Sequence, residues 1–183
     1  LMSNAQFFEK FKFDISKDYI LTTIHPETVA LGENAAFIEQ YISALKEIDV
    51  PVLCTLPNAD TEGSVVRAAL LAFEEHYPHK IKCFENLGIT GYFTAMKNCL
   101  MMVGNTSSGI IEAASFKKWV IDLGDRQKGR FAPANVVHVP FDKKEIVLNI
   151  QSLQKKDVDA IQNPYGNGNT AEQILKILET VFI

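Results

Sequence analysis

The sequence predicts one α/β domain built on a parallel β-sheet with helices on both faces, a doubly wound arrangement, and three observations carry that prediction. Six short apolar runs alternate with longer stretches of helical period, the pattern of repeated βαβ units. At 183 residues the chain is long enough for one domain with a sizeable core and short for two. Polar, turn-rich stretches follow the first five runs, and in an open α/β sheet the carboxyl ends of the strands are where ligands sit.

Taken in order, the strands fall at residues 19–24, 50–56, 80–84, 100–103, 119–123 and 136–139. Each is short, apolar and bounded by turn residues. Residues 34–48 form a helix with Phe37, Ile38, Tyr41, Ile42 and Leu45 on one face, and residues 63–77 another with Val66, Leu70 and Phe73 aligned. Helices at 89–98 and 107–116 follow the third and fourth strands, and two more, 143–154 and 170–182, close the chain. Between these last two lies Asn163-Pro164-Tyr165-Gly166-Asn167-Gly168-Asn169, a hinge or connector. No element is assigned before Tyr19, and there is no internal repeat.

Composition narrows the function classes. With 47% hydrophobic and 22% charged residues and a net charge of −4, the chain offers no general basic surface for nucleic acid. Cys54, Cys83 and Cys99 are far apart and lie in or beside apolar runs, so they read as buried thiols of a reducing compartment. No apolar run approaches the roughly 18 residues that cross a bilayer, and the default expectation is cytoplasmic.

The residues beyond the strand ends point to a phosphorylated ligand. After the fourth strand, Gly104-Asn105-Thr106-Ser107-Ser108-Gly109 is small and polar and opens a helix, whose first N–H groups favour an anion. The competing reading is a serine N-cap with nothing bound. Glu112, in the second turn, suits ribose hydroxyls better than phosphate, which suggests a nucleotide, the alternative being an exposed helix glutamate that complements the dipole. Arg126, Lys128 and Arg130 follow the fifth strand within a glycine-containing turn, and a guanidinium can hold phosphate oxygens bidentately. Arg126, nearest the strand, is favoured for ligand contact and Lys128 for solvated surface. His25, held out of helix by Pro26, can bond a phosphate or pass a proton to a leaving group. His76, His79 and His138 show no comparable placement or partner, and no spacing resembles a metal site.

The runs Thr23-Ile24-His25-Pro26-Glu27-Thr28, Gly104-Asn105-Thr106-Ser107-Ser108-Gly109-Ile110-Ile111-Glu112, Gly124-Asp125-Arg126-Gln127-Lys128-Gly129-Arg130 and Tyr165-Gly166-Asn167-Gly168-Asn169 resemble the C-terminal half of UDP-N-acetylglucosamine 2-epimerases. The likeness extends from about Tyr19 to the end of the chain. It implies a Rossmann-like domain, the C-terminal one of a two-Rossmann-domain, GT-B-like enzyme, with residues 170–183 a terminal helix. The loop resembles the hydrolysing branch, since Ala113 follows Glu112 where the non-hydrolysing branch carries paired glutamates. A sister group acting on UDP-diacetylbacillosamine shares that pattern.

Carried onto this sequence, the resemblance implies that His25, Thr106 and Ser107 contact the diphosphate and that Arg126 lies in the nucleotide site. Glu112 holds the ribose, Asn58 and Asn86 lie along the nucleotide with Asn86 near the base, and Ser108 and Gly109 add contacts from the helix start. It implies no metal or redox cofactor, no nucleic acid or membrane partner, and a homo-oligomer. The implied reaction eliminates UDP and hydrates the 2-acetamidoglucal to N-acetylmannosamine, on the way to sialic acids, with His25 as the catalytic residue of this domain. Carboxylates for the C2 proton belong to an N-terminal domain that is not in this chain. The chain alone is therefore expected to be inactive. A non-hydrolysing UDP-N-acetylglucosamine 2-epimerase, a glycosyltransferase half-domain of the same architecture and a non-catalytic UDP-sugar sensor are the alternative readings.

Overall fold

A computed structural model of the chain describes residues 1–28, 32–57, 63–158 and 161–181. The elements run α1 (Asn4–Phe11), β1 (Ile20–Thr23), α2 (Asn34–Glu47), β2 (Val52–Thr55), α3 (Gly63–His76), β3 (Ile81–Phe84), α4 (Gly88–Asn98), β4 (Met101–Gly104) and α5 (Ser107–Ile111). A 3-10 turn (Ala113–Phe116), β5 (Trp119–Leu123), β6 (Val136–Val139), α6 (Lys143–Leu153) and α7 (Thr170–Val181) follow. The six strands form one parallel sheet in the order β3-β2-β1-β4-β5-β6, the Rossmann-like α/β arrangement.

The central strands β1, β2 and β4 are buried on both faces, and alternate side chains feed two cores. Ile20, Val52, Cys54, Met101, Val103, Ile121 and Leu123 point to one face, where α2, α3 and α6 contribute Ile38, Tyr41, Leu45, Val66, Leu70, Phe73, Ile146 and Ile150. Leu21, Leu53, Met102 and Val120 point to the other, under α1, α4 and the 3-10 turn with Phe7, Ala95, Met96 and Ala113.

Two elements differ from the sequence expectation. Helix α1 was not expected. Ser3 and Gln6 close a capping box at its start, and Phe7 is fully buried, so this segment is part of the fold. The helix expected over 107–116 breaks at Glu112 into the five-residue α5 and the 3-10 turn. Helix α7 buries none of its residues; Ile174, Leu175, Ile177, Leu178 and Val181 are all exposed.

Candidate functional site at the β1/β4 switch point

The strand order reverses between β1 and β4, which pair directly although α2, β2, α3, β3 and α4 separate them in sequence. Connections depart to opposite sides there and leave a crevice beyond the strand ends. Gly104 sets its depth: a Cβ on Gly104 would stand 2.4 Å from the Thr23 carbonyl oxygen, so only glycine allows this approach.

Three loops are locked around the crevice by side chains bonded to backbone. Asn105 is buried and brackets the His25 peptide, with its Oδ1 accepting from the His25 N–H at 2.7 Å and its Nδ2 donating to the His25 carbonyl at 2.8 Å. Asn34 does the same for Glu27, at 2.7 and 3.2 Å. The buried Glu27 carboxylate reaches across to the loop after β5, where its Oε1 accepts from the Asp125 and Arg126 N–H groups, both at 3.1 Å. Arg126 returns the tie through Nη1 to the Pro26 carbonyl at 2.9 Å, and Gln127 Nε2 donates to the Asn105 carbonyl at 2.7 Å. Gly124 makes this turn possible, since its φ is +73° and a Cβ would fall 2.4 Å from Glu27 Oε1. These bonds tie the three loops together into a fixed surface, while Glu27 Oε2 and Gln127 Oε1 stay buried without a partner.

That surface is a polar cavity of about 310 Å³ lined by His25, Thr28, Ser107, Arg126, Gln127 and Arg130. It brings together four residues singled out from three loops: His25, Ser107, Arg126 and Arg130. Thr106 is the N-cap of α5, extended at φ −81° and ψ 146°, and makes no side-chain cap hydrogen bond. The plain capping alternative requires that bond. With only five residues, α5 offers the local N–H groups of its first turn more than a summed dipole. Gly109 is explained by packing: a Cβ would meet Val120 Cγ1 at 2.9 Å, and its N–H already donates to Thr106 O at 3.1 Å.

Glu112 ends α5 rather than lying within a second turn, and its Oε2 is buried without a hydrogen-bond partner. The Tyr92 hydroxyl is buried nearby, beside the Ser108 and Thr23 hydroxyls. Burial pushes the Tyr92 phenol up, against the opposite pull of the neighbouring Ser108 and Thr23 hydroxyls. An orphaned carboxylate oxygen of this kind is rare in a finished interior, and a ligand's donor is one way to satisfy it. Tyr92 lines a cavity of about 420 Å³ together with Thr55, Leu56, Asn86, Leu87 and Phe93 among others. Asn86 is exposed at its mouth and accepts from the Gly88 N–H through Oδ1 at 2.9 Å. Asn58 lies outside the described residues.

Sequence reasoning missed the roles of Asn34, Asn105, Glu27 and Gln127 because their partners are backbone groups of other loops. It also left His138 without a partner, which the structure corrects. His138 faces Asp122 across the β5/β6 register, and Nδ1 lies 2.8 Å from the buried Asp122 Oδ2. No spacing rule links positions 122 and 138.

The family model of UDP-N-acetylglucosamine 2-epimerase matches residues 2–179. This chain belongs to that family. A UDP-N,N'-diacetylbacillosamine 2-epimerase (hydrolyzing) of Legionella pneumophila is 29% identical over 96% of this chain and 46% of its own. A GDP/UDP-N,N'-diacetylbacillosamine 2-epimerase (hydrolyzing) of Campylobacter jejuni is 35% identical over 67% of this chain and 32% of its own. The chain thus spans less than half the length of these curated relatives. The crystal structure of UDP-GlcNAc 2-epimerase from Neisseria meningitidis bound to UDP-GlcNAc superposes with a TM-score of 0.76 at 18% identity, over 96% of this chain and 48% of that one. At that identity the likeness speaks for the epimerase fold.

Proposed function

We propose that this chain is the C-terminal, UDP-holding domain of a hydrolysing UDP-N-acetylglucosamine 2-epimerase. The observation that carries the reading is the convergence of His25, Ser107, Arg126 and Arg130 on one polar cavity at the switch point, beside an α5 start that lacks a side-chain cap. The diphosphate lies in that cavity, bonded by Thr106, Ser107 and Ser108 at the helix start and by the guanidinium groups. The ribose hydroxyls donate to the unsatisfied Glu112 Oε2, and the base occupies the cavity beside Asn86.

In the reaction the C1–O bond to the diphosphate breaks while C2 loses a proton, giving UDP and the 2-acetamidoglucal. Negative charge grows on the leaving diphosphate, where the arginines, the α5 N–H groups and a proton on His25 stabilise it. Water then adds across the double bond, hydroxyl to C1 and hydrogen to C2, and yields N-acetylmannosamine. The groups that exchange the C2 proton belong to the remaining half of the protein. The exposed apolar face of α7 is the surface this chain offers to that half.

Full-length protein given UDP-N-acetylglucosamine and no acceptor tests the reading: free N-acetylmannosamine and UDP appear in equal amounts. UDP-N-acetylmannosamine as the product, or intact substrate, overturns it. The names of the Legionella and Campylobacter relatives favour a second substrate, UDP-diacetylbacillosamine. The ratio of kcat/KM for the two sugar nucleotides decides between them.

A further inference from the structure

A separate cavity of about 440 Å³ opens beside the carboxyl ends of β5 and β6, toward the edge of the sheet. One wall is aromatic, where Phe37 at the start of α2 and Phe141 beyond β6 stack with ring centroids 5.0 Å apart at 15°. The polar lining is Glu27, Asp125 and His138, and no lysine or arginine lines it among the described residues. Lys128 meets Asp125 from outside in a solvent-exposed pair at 3.2 Å, which water screens.

Two features of this lining point to a ligand. Glu27 Oε2 is buried and has no hydrogen-bond partner, although Oε1 accepts two N–H groups. An uncompensated buried carboxylate oxygen favours a cation or donor close by. The second feature is His138. Its Nδ1 is committed to Asp122, which leaves Nε2 for a ligand. The volume lies in the range of small-molecule sites, and the mix of apolar wall and few polar groups is typical of them.

We propose that this cavity binds a small planar organic cation, a ring bearing an amidinium or a protonated amine. The ring extends the Phe37–Phe141 stack, and the positive charge faces Glu27 and Asp125 while its N–H donates to His138. Anions of the same shape are rejected by the two carboxylates. The site does not depend on the nucleotide reading, because its aromatic wall and His138 take no part in the diphosphate cavity.

Benzamidine and benzoate, equally flat and opposite in charge, are the probes. Saturation-transfer NMR and calorimetry on the full-length protein should show saturable benzamidine binding below about 10 mM and at least about tenfold weaker benzoate binding. His138→Gln, at a half-exposed position, and Phe141→Ala should each weaken benzamidine by about tenfold, and Phe141→Leu serves where the alanine variant does not fold. Ser107→Ala should lower UDP affinity and leave benzamidine affinity unchanged, which separates this site from the nucleotide site. Equal affinity for the two probes, no saturable benzamidine binding, or unchanged binding in both the His138 and Phe141 variants overturns the proposal.

Discussion

Asn105 holds the peptide of His25 from both sides, its Oδ1 taking the N–H at 2.7 Å and its Nδ2 giving to the carbonyl at 2.8 Å. One buried side chain thereby fixes a loop after β1 to a loop after β4. Asn105→Ala removes both bonds and leaves the His25 peptide partly unsatisfied, a loss of about 2–4 kcal/mol of stability. Asn105→Asp keeps the acceptor and should fall between. Urea unfolding midpoints measure both, and a loss under about 0.5 kcal/mol for the alanine variant contradicts the bracket.

Ser107→Ala and Glu112→Ala should each weaken UDP by about 1–3 kcal/mol, or about 5- to 150-fold in Kd. Calorimetric titration reads the change directly. Unchanged affinity in both variants removes the nucleotide from this crevice.

Glu27 does not touch the nucleotide in this scheme and acts on it through Arg126. Glu27→Ala leaves the Asp125 and Arg126 N–H groups without their acceptor, so the loop loosens and UDP affinity drops about tenfold. Glu27→Gln retains the Oε1 acceptor and should restore most of the affinity. If the glutamine variant binds UDP no better than the alanine variant, charge rather than positioning is the role of Glu27.

Burial pushes the Asp122 carboxyl up from 3.8 to about 6, with His138 opposing the rise and the charge of Glu27 adding to it. The folded state therefore binds this proton more tightly than the unfolded state does. Its contribution to stability is complete below about pH 4 and is lost as pH rises through about 6. Asp122→Asn, which still accepts from His138, should flatten stability between those limits and gain about 1–2 kcal/mol at pH 7.5 relative to its effect at pH 4. A pH series of urea melts checks the slope, and parallel curves for the two proteins refute it.

Helix α7 carries five exposed apolar residues and no buried one. A lone helix of 12 residues is marginal in water. Its amides should exchange rapidly in the 183-residue chain and be strongly protected in the full-length enzyme. Protection already present in the isolated chain shows that α7 needs no other half.

Much of the fold was legible. Strands β5 and β6 lie where their apolar runs ended, and α2 and α3 each stop one residue short of the expected limit. What escaped was short. Helix α1 has eight residues and stands on the burial of Phe7, although its Ser3 and Gln6 capping box was a usable signal. The 3-10 turn after Glu112 escaped because four residues cannot distinguish a period of 3.0 from 3.6.

The sequence by itself determined the order of the six strands, which faces are apolar, and the polar runs at His25, Thr106–Ser108 and Arg126. Those are local properties, written in periodicity and in the chemistry of a few adjacent residues. Only the tertiary structure decided that Asn105 and Glu27 bind backbone of other loops and that His138 pairs with Asp122. It also left Glu112 Oε2 buried without a hydrogen-bond partner. Each of these depends on which segments lie side by side once the sheet is assembled. Strand order and register set that neighbourhood, and the burial of two faces at once, not any short stretch of chain, fixes both.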